Sequence, residues 1–435
     1  MAEQIAKTAS AAASVLRAVP DSERQTALVK VHDALKAART EIEAANKKDM
    51  VAAEAAGIAP AILKRLDLFR GGKFESMLEG VLDVAKLDDP TNKVVMAREL
   101  DAGLRLYRVT CPIGVLLVIF EARPEVIANV LSLALKSGNA AILKGGKESF
   151  NTFAAMARCV TTALADTAIP AGAIQLIETR QDVAALLSQD EHIDLVIPRG
   201  SNELVRNIKD NTKIPVLGHA DGRCSAYVHP DADVDMAARV VVDSKTNYVA
   251  ACNALECLLV NRACLASLLP PIAQALLAAG VELRVTPEIR AALAAAGLDG
   301  PAVSDAVDAD FSTEFLSMTI AVKAVDSVAE AILHINSHSS KHTDTILTAD
   351  EAVAEQFMAG VDSSSVFWNA STRFADGFRF GFGAEVGIST SKIHARGPVG
   401  LDGLVCYQYR LMGTGQVCGD YAGAGGSKTF NFKEL

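Results

Sequence analysis

Hydrophobic and polar positions along the chain change their period several times, and each change marks a different kind of structure. Over residues 3–56 apolar residues recur at helical spacing with charges between them, which predicts a layer of helices. The alanine-rich opening, MAEQIAKTASAAASVLRAVP, carries Glu3 and lacks an uninterrupted apolar core, so it is expected to be the first helix and not a targeting segment. Ser22 and Gln25, after Pro20, have the spacing of a capping box. Over 93–110 the pattern turns to strand around Asp101-Ala102-Gly103, a turn sequence, and predicts a hairpin. That ribbon has little apolar bulk of its own and is expected to lie against the body of the protein or a second subunit.

From residue 113 short β-rich runs alternate with helical segments: 113–120, 140–144, 174–177, 195–197 and 216 read as strands, with helices over 124–136 and from 148, 182 and 201. This alternation predicts a parallel sheet covered on both faces, with ligands beyond the carboxyl ends of its strands. Glu121-Ala122-Arg123, residues 144–147 and residues 198–201 are thereby brought to one crevice. A second alternation, with strands at 257–260, 282–285, 319–325, 345–347 and 366–368, predicts a second such domain. The expected architecture is two doubly wound α/β domains, 1–233 and 234–397, plus a small β-ribbon. In the glycine-rich tail, 398–435, residues 405–411 are expected to pair as an edge strand with the 93–110 hairpin.

Composition narrows the function classes. Half of the 435 residues are hydrophobic, so the chain can bury large cores, and a net charge of −10 argues against a nucleic-acid surface or an anionic membrane as partner. The longest apolar run, 113–120, is too short to span a bilayer. Eight cysteines without a CxxC pair fit reduced thiols in the cytoplasm.

One of those thiols stands out. Cys252 follows two alanines and precedes Asn253, with the apolar run 257–260 behind it, so small neighbours leave its sulfur approachable for nucleophilic work. The competing reading is a buried small hydrophobe, the usual state of a free cysteine. Lys144-Gly145-Gly146-Lys147 is no phosphate-wrapping loop, because Glu148 follows and the upstream glycine is missing. His338 and His342 are spaced i, i+4, but Ser339 and Ser340 favour a loop and no third ligand is evident, so both are read as structural and no metal is expected.

Six blocks carry a resemblance: PIGVLLVIFEARPEV from Pro112, LKSGNAAILKGGKES from Leu135, IDLVIPRGS from Ile193, AACNALE from Ala250, HTDTILT from His342, and VFWNASTRFADGFRFGFGAEVGISTSKIHARGPVGL from Val366. Through them the chain resembles the γ-glutamyl phosphate reductases of the aldehyde dehydrogenase superfamily over nearly its whole length. It departs from that pattern at Val249, where proline is usual, and at Cys257, where threonine is usual. The resemblance implies an aldehyde-dehydrogenase-like fold with the ribbon and tail strand serving a homo-oligomer. It makes Cys252 the nucleophile, with Asn253 beside it in the catalytic set, attacking L-glutamyl 5-phosphate to form a thioester. Hydride from a reduced nicotinamide then gives L-glutamate 5-semialdehyde. An oxyanion hole is required, for which the Cys252 backbone N–H and a donor from the first crevice are candidates.

The same resemblance implies Lys144 on the adenosine ribose and Lys147 on a 2′-phosphate, hence NADP(H), with Gly200 and Ser201 on the pyrophosphate and Glu314 on the nicotinamide ribose. Residues 215–222 lack the water-activating glutamate of aldehyde-oxidising relatives, which fits phosphate as the acyl partner. His219 in that stretch is a candidate contact to phosphate or substrate, against a structural reading. Ser371, Thr372 and Arg373 are candidates for the substrate carboxylate, with Arg123 competing. With no kinase domain in the chain, a separate glutamate 5-kinase would supply the acyl phosphate and a functional coupling to it is open. Two alternatives remain, a coenzyme-A-dependent acylating aldehyde dehydrogenase and a catalytically dead relative acting as a binding protein.

Overall fold

The computed structural model describes residues 1–58, 60–121, 123–177, 181–421 and 426–435; Ala122 of the expected first crevice lies outside them. The chain divides into two compact units, Met1–Val216 with Phe382–Gly387 and Val399–Leu435, and Leu217–Gly381 with Ile388–Pro398. The division falls earlier than the expected boundary at 233, because the strand Cys224–Val228 pairs with Leu255–Asn261 and Thr343–Leu347 and so belongs to the second sheet. The run after 381 contributes to both units, and the tail belongs to the first.

In the first unit four parallel strands lie in the order Ile174–Ile177, Ala140–Lys144, Val115–Phe120, Leu195–Arg199. The alanine-rich opening is the helix Ala2–Leu16, whose Ala2, Ala6, Ala9 and Ala13 are buried against Val115, Leu117, Ile119 and Ile142. Small side chains at i, i+4 and i+7 let this helix lie close on the sheet, which explains the composition. The next helix is Asp21–Ala37, starting directly after Pro20. Ser22 therefore lies inside the first turn, and Gln25 bonds the Asp21 carboxylate at 2.6 Å, so the expected capping box is not formed. Asp21 also receives the fully buried Lys136 ammonium at 2.8 Å, which ties this helix to Val126–Lys136.

A separate antiparallel sheet carries the hairpin Val94–Asp101 and Leu104–Pro112, with Val405–Met412 paired to its second strand as expected. Two further residues, Lys433–Glu434, pair with the first strand. Tyr407, Tyr409 and Leu411 leave a row of exposed apolar side chains on the tail strand.

The second unit holds seven parallel strands in the order Val303–Asp305, Glu282–Val285, Thr319–Val325, Leu255–Asn261, Cys224–Val228, Thr343–Leu347, Ser365–Trp368. Alternate residues of the central strand enter opposite cores. Leu258 and Val260 pack with Ala237, Val241, Ile272 and Leu276 on one face, Cys257 and Leu259 with Ala331, Ile335 and Phe357 on the other. Cys257 is thus a core residue whose thiol burial pushes up to about 12, which leaves it inert. Among the described residues no helix is long and apolar enough to cross a membrane.

Candidate active site

Three loops in the second unit run into the amino ends of three adjacent parallel strands. Gly222 precedes Cys224–Val228, Cys252 precedes Leu255–Asn261, and His342 directly precedes Thr343–Leu347. Because the strands are parallel and in neighbouring positions, residues just ahead of them share one edge of the sheet. The Cys252 Sγ lies 3.1 Å from His342 Nε2, and the buried His342 ring is held at Nδ1 by Thr343 Oγ1 at 2.8 Å. His219 meets His342 edge-on with ring centroids 5.0 Å apart, and its Nδ1 is 3.1 Å from the Ile388 carbonyl oxygen. His219 is therefore brought to the Cys252 thiol. The reading of His342 as structural is corrected, since it is the group that touches the thiol.

The loop that carries Cys252 is closed from below. It leaves the helix Val234–Thr246 and enters the strand at Leu255, and Lys245 on one side meets Glu256 on the other at 2.6 Å, both buried. Burial pushes the Glu256 carboxyl up to about 7 against the pull of Lys245. Glycine is required at 222, where an added Cβ would sit 2.0 Å from the Cys252 carbonyl oxygen. The Gly222 N–H donates to Glu314 at 2.9 Å, so Glu314, expected on the nicotinamide ribose, also braces the backbone against which Cys252 lies. Among the described residues neither the Cys252 nor the Asn253 backbone N–H has an acceptor, whereas those of Ala251 and Ala254 do. Two adjacent donors beside the sulfur are what an oxyanion needs.

The Asn253 side chain, expected in the catalytic set beside Cys252, is engaged through its amide nitrogen. Its Nδ2 donates to the Ala375 carbonyl at 2.9 Å and to that of Arg373 at 3.4 Å, fixing the neighbouring loop. On that loop Ser371 receives the Ser244 hydroxyl at 3.1 Å, and among the described residues the buried Thr372 Oγ1 has no partner. Arg373 is buried with neutral company, Asn247 Oδ1 at 3.5 Å and the Tyr248 ring at 5.9 Å. Burial, and then the nearby Arg379, bring the Arg373 guanidinium below its usual range, while Cys252, Asp376 and Asp243 hold it up. Among the described residues no carboxylate lies within ion-pair distance of it. A guanidinium in that position is suited to an incoming carboxylate or phosphate.

In the first unit the carboxyl edge gathers a different set. Lys144 ends its strand with a buried side chain whose Nζ bonds the Gly145 carbonyl, and the exposed Lys147 opens a short helical turn, Lys147–Ser149, whose Ser149 is buried. Gly145 is pressed on Phe153, whose ring an added Cβ would meet at 2.7 Å. Ser201 caps the helix Asn202–Asp210 by accepting from the Leu204 N–H. Its own N–H, expected to await a pyrophosphate, donates to the Glu121 carboxylate at 2.9 Å, and an added Cβ at Gly200 would meet that carboxylate at 2.5 Å. The helix N-terminus thus already holds an anion, one belonging to the chain. Arg123 lies on the turn entering the helix Val126–Lys136, in the first unit, while Arg373 lies in the second with the thiol.

The aldehyde dehydrogenase family profile matches residues 1–292. The chain is 58% identical over 446 aligned residues to a γ-glutamyl phosphate reductase from Saccharomyces cerevisiae, covering all of this chain and 98% of the yeast one. It is 47% identical to the enzyme of that name from Pelotomaculum thermopropionicum, covering 99% and 97%. Among solved structures, the γ-glutamyl phosphate reductase of Thermotoga maritima superposes with a TM-score of 0.91 at 37% identity, over 95% of this chain and 99% of that one. An acetylating aldehyde dehydrogenase from Geobacillus thermoglucosidasius shares the fold, with a TM-score of 0.65 at 17% identity over 96% of this chain and 97% of its own.

Proposed function

Since the chain belongs to the aldehyde dehydrogenase family and, within it, to the γ-glutamyl phosphate reductases, we propose that it reduces L-glutamyl 5-phosphate to L-glutamate 5-semialdehyde through a thioester on Cys252. The observation that carries this reading is the Cys252–His342 contact at 3.1 Å beside the buried Arg373. His342 Nε2 takes the thiol proton, and the thiolate attacks the acyl carbon. The Cys252 and Asn253 N–H groups receive the developing charge on the carbonyl oxygen. As the carbonyl re-forms, phosphate leaves with the proton that His342 holds. A reduced nicotinamide, held by Lys144, Lys147 and Glu314, would supply the hydride that reduces the thioester, and Cys252 would leave as the thiolate when the C–S bond breaks. Arg373 grips the α-carboxylate of the glutamyl group, with Ser371 and Thr372 lining the same turn, and His219 faces the departing phosphate.

The carboxyl edge of the first sheet fits NADP(H) in its cations. The exposed Lys147 is placed for a 2′-phosphate and Lys144 for the ribose, whereas a pyrophosphate at Gly200 and Ser201 must displace Glu121. Glu314 remains the partner for the nicotinamide ribose. The semialdehyde closes on its own amine to a five-membered imine, which places the reaction in proline synthesis, with a separate glutamate 5-kinase supplying the acyl phosphate. The exposed apolar row on the tail strand supports a homo-oligomer.

The test is NADPH formation in reverse, from the cyclic imine and its open semialdehyde, with phosphate, coenzyme A or neither added. Strict dependence on phosphate, lost in Cys252→Ala, is the expected result. Turnover with coenzyme A alone would replace this reading with the acylating one, and turnover without either would mean that water reaches the thioester.

A further inference from the structure

His219, Cys252 and His342 each offer one donor atom, and the three atoms all lie within 4.8 Å of one another. A tetrahedral zinc ion holds imidazole nitrogen at about 2.0 Å and thiolate sulfur at about 2.3 Å, which sets neighbouring ligand atoms about 3.3–3.6 Å apart. The sulfur and His342 Nε2, at 3.1 Å, are already near that spacing, so side-chain shifts of about 1 Å complete the set. Both rings are anchored through Nδ1, His219 at the Ile388 carbonyl and His342 at Thr343 Oγ1. Anchoring one ring nitrogen is how proteins orient the other toward a metal. A thiolate with two imidazoles suits a borderline-soft divalent cation, whereas Mg²⁺ and Ca²⁺ select oxygen ligands.

We propose that this trio is an inhibitory site for Zn²⁺, with Cys252 Sγ and one nitrogen from each of His342 and His219 as ligands and solvent in the fourth position. The inhibition rests on the reading of Cys252 as nucleophile, because the same sulfur lone pair cannot bind the metal and attack the acyl carbon. The thiol proton is released to solvent as the metal binds, and no electron transfer is involved. When the metal is withdrawn, the thiol returns to its contact with His342.

The experiment uses the full-length chain stripped of metal and titrated with Co²⁺, whose bonds to thiolate absorb in the near ultraviolet and whose tetrahedral sites absorb in the visible. One equivalent should develop both bands. They should be absent in Cys252→Ser, although the other seven cysteines remain, and the cobalt affinity should fall at least about tenfold in His219→Gln. In the unaltered chain, one equivalent of Zn²⁺ should slow alkylation of Cys252, followed by mass spectrometry of its peptide, at least about tenfold. A chelator should restore the rate, and Mg²⁺ should leave it unchanged. Cobalt–thiolate absorption that persists in Cys252→Ser, or alkylation of Cys252 indifferent to Zn²⁺, would overturn the proposal. Alkylation needs no variant and no turnover, so it decides the matter even if the substituted chains fold poorly. Protection by Zn²⁺ in a chain that, metal-free, fails to reduce the acyl phosphate would sink the functional reading while leaving the metal site standing.

Discussion

The carboxyl edge of the first sheet and the amino edge of the second are built from opposite materials. At the first, helices begin, and their backbone N–H groups favour an anion; Glu121 already sits on the Ser201 N–H. At the second, helices end. The helix Val234–Thr246 points its last carbonyls at the loop of Cys252, and carbonyls do not favour a thiolate. What that edge cannot take from helix dipoles it takes from side chains, two imidazoles and a buried guanidinium, with two loop N–H groups added. Helix N-terminal donors thus gather at one edge of the first sheet, and a thiol with two imidazoles gathers at the opposite kind of edge of the second.

The most severe test of that contrast is the thiol itself. Cys252→Ala should lower kcat about 10⁴-fold or more with the fold retained, read from steady-state rates together with circular dichroism. His342→Ala should lower kcat about 10²–10⁴-fold; a variant with full activity would leave the amino edge without its base. Beneath the same loop, Lys245→Met leaves the buried Glu256 carboxyl without its cation, with the Leu316 N–H at 3.3 Å as its remaining donor. It should cost about 3–5 kcal/mol in urea unfolding and lower activity only through that loss.

At the other edge the expected effects are smaller and appear in binding. Lys147→Ala should raise the KM for NADPH about tenfold, leave that for NADH nearly unchanged and spare kcat. A fall in kcat of the same size would erase that contrast. The smallest effect concerns Asp362, whose carboxylate is held well below the usual range first by Lys341, then by Lys392 and Arg396. These contacts fasten the run 388–398 that packs on His219 at Ile388. A depressed carboxyl contributes stability above its unfolded value near 4 and loses it as the pH falls toward the folded one. Asp362→Asn should therefore cost under about 1 kcal/mol at pH 7, with the melting-temperature gap closing as the pH drops below about 4.

The same two edges explain what could be read from the chain. Cys252 drew attention through its small neighbours, a local signal, but its role as nucleophile came only from the resemblance; the strand–helix alternation predicted both parallel sheets. His342 was not legible, because the i, i+4 spacing paired it with His338, and with a loop between them and no third ligand evident both were read as structural. His338 is the last residue of the helix Val328–His338, stacked on His334 at 4.1 Å, and only its neighbour past the loop reaches the thiol. The position of His342 directly ahead of a strand was the available clue. The strand Cys224–Val228 was not singled out, and the expected boundary at 233 left it with the first unit, because CSAYV carries nothing that says which sheet it joins. Lys433–Glu434 is too short to leave any periodic trace.

The ribbon's pairing of Cys111 with Cys406, 295 positions apart, has a consequence for how the protein is born. Synthesis delivers the hairpin long before the strand that flanks it, and the whole second unit emerges in the interval. At about 5–20 residues per second the open edge waits about 15–60 s on the ribosome, which is long compared with domain folding. The nascent chain must therefore guard an unpaired β-edge while an entire second domain forms downstream.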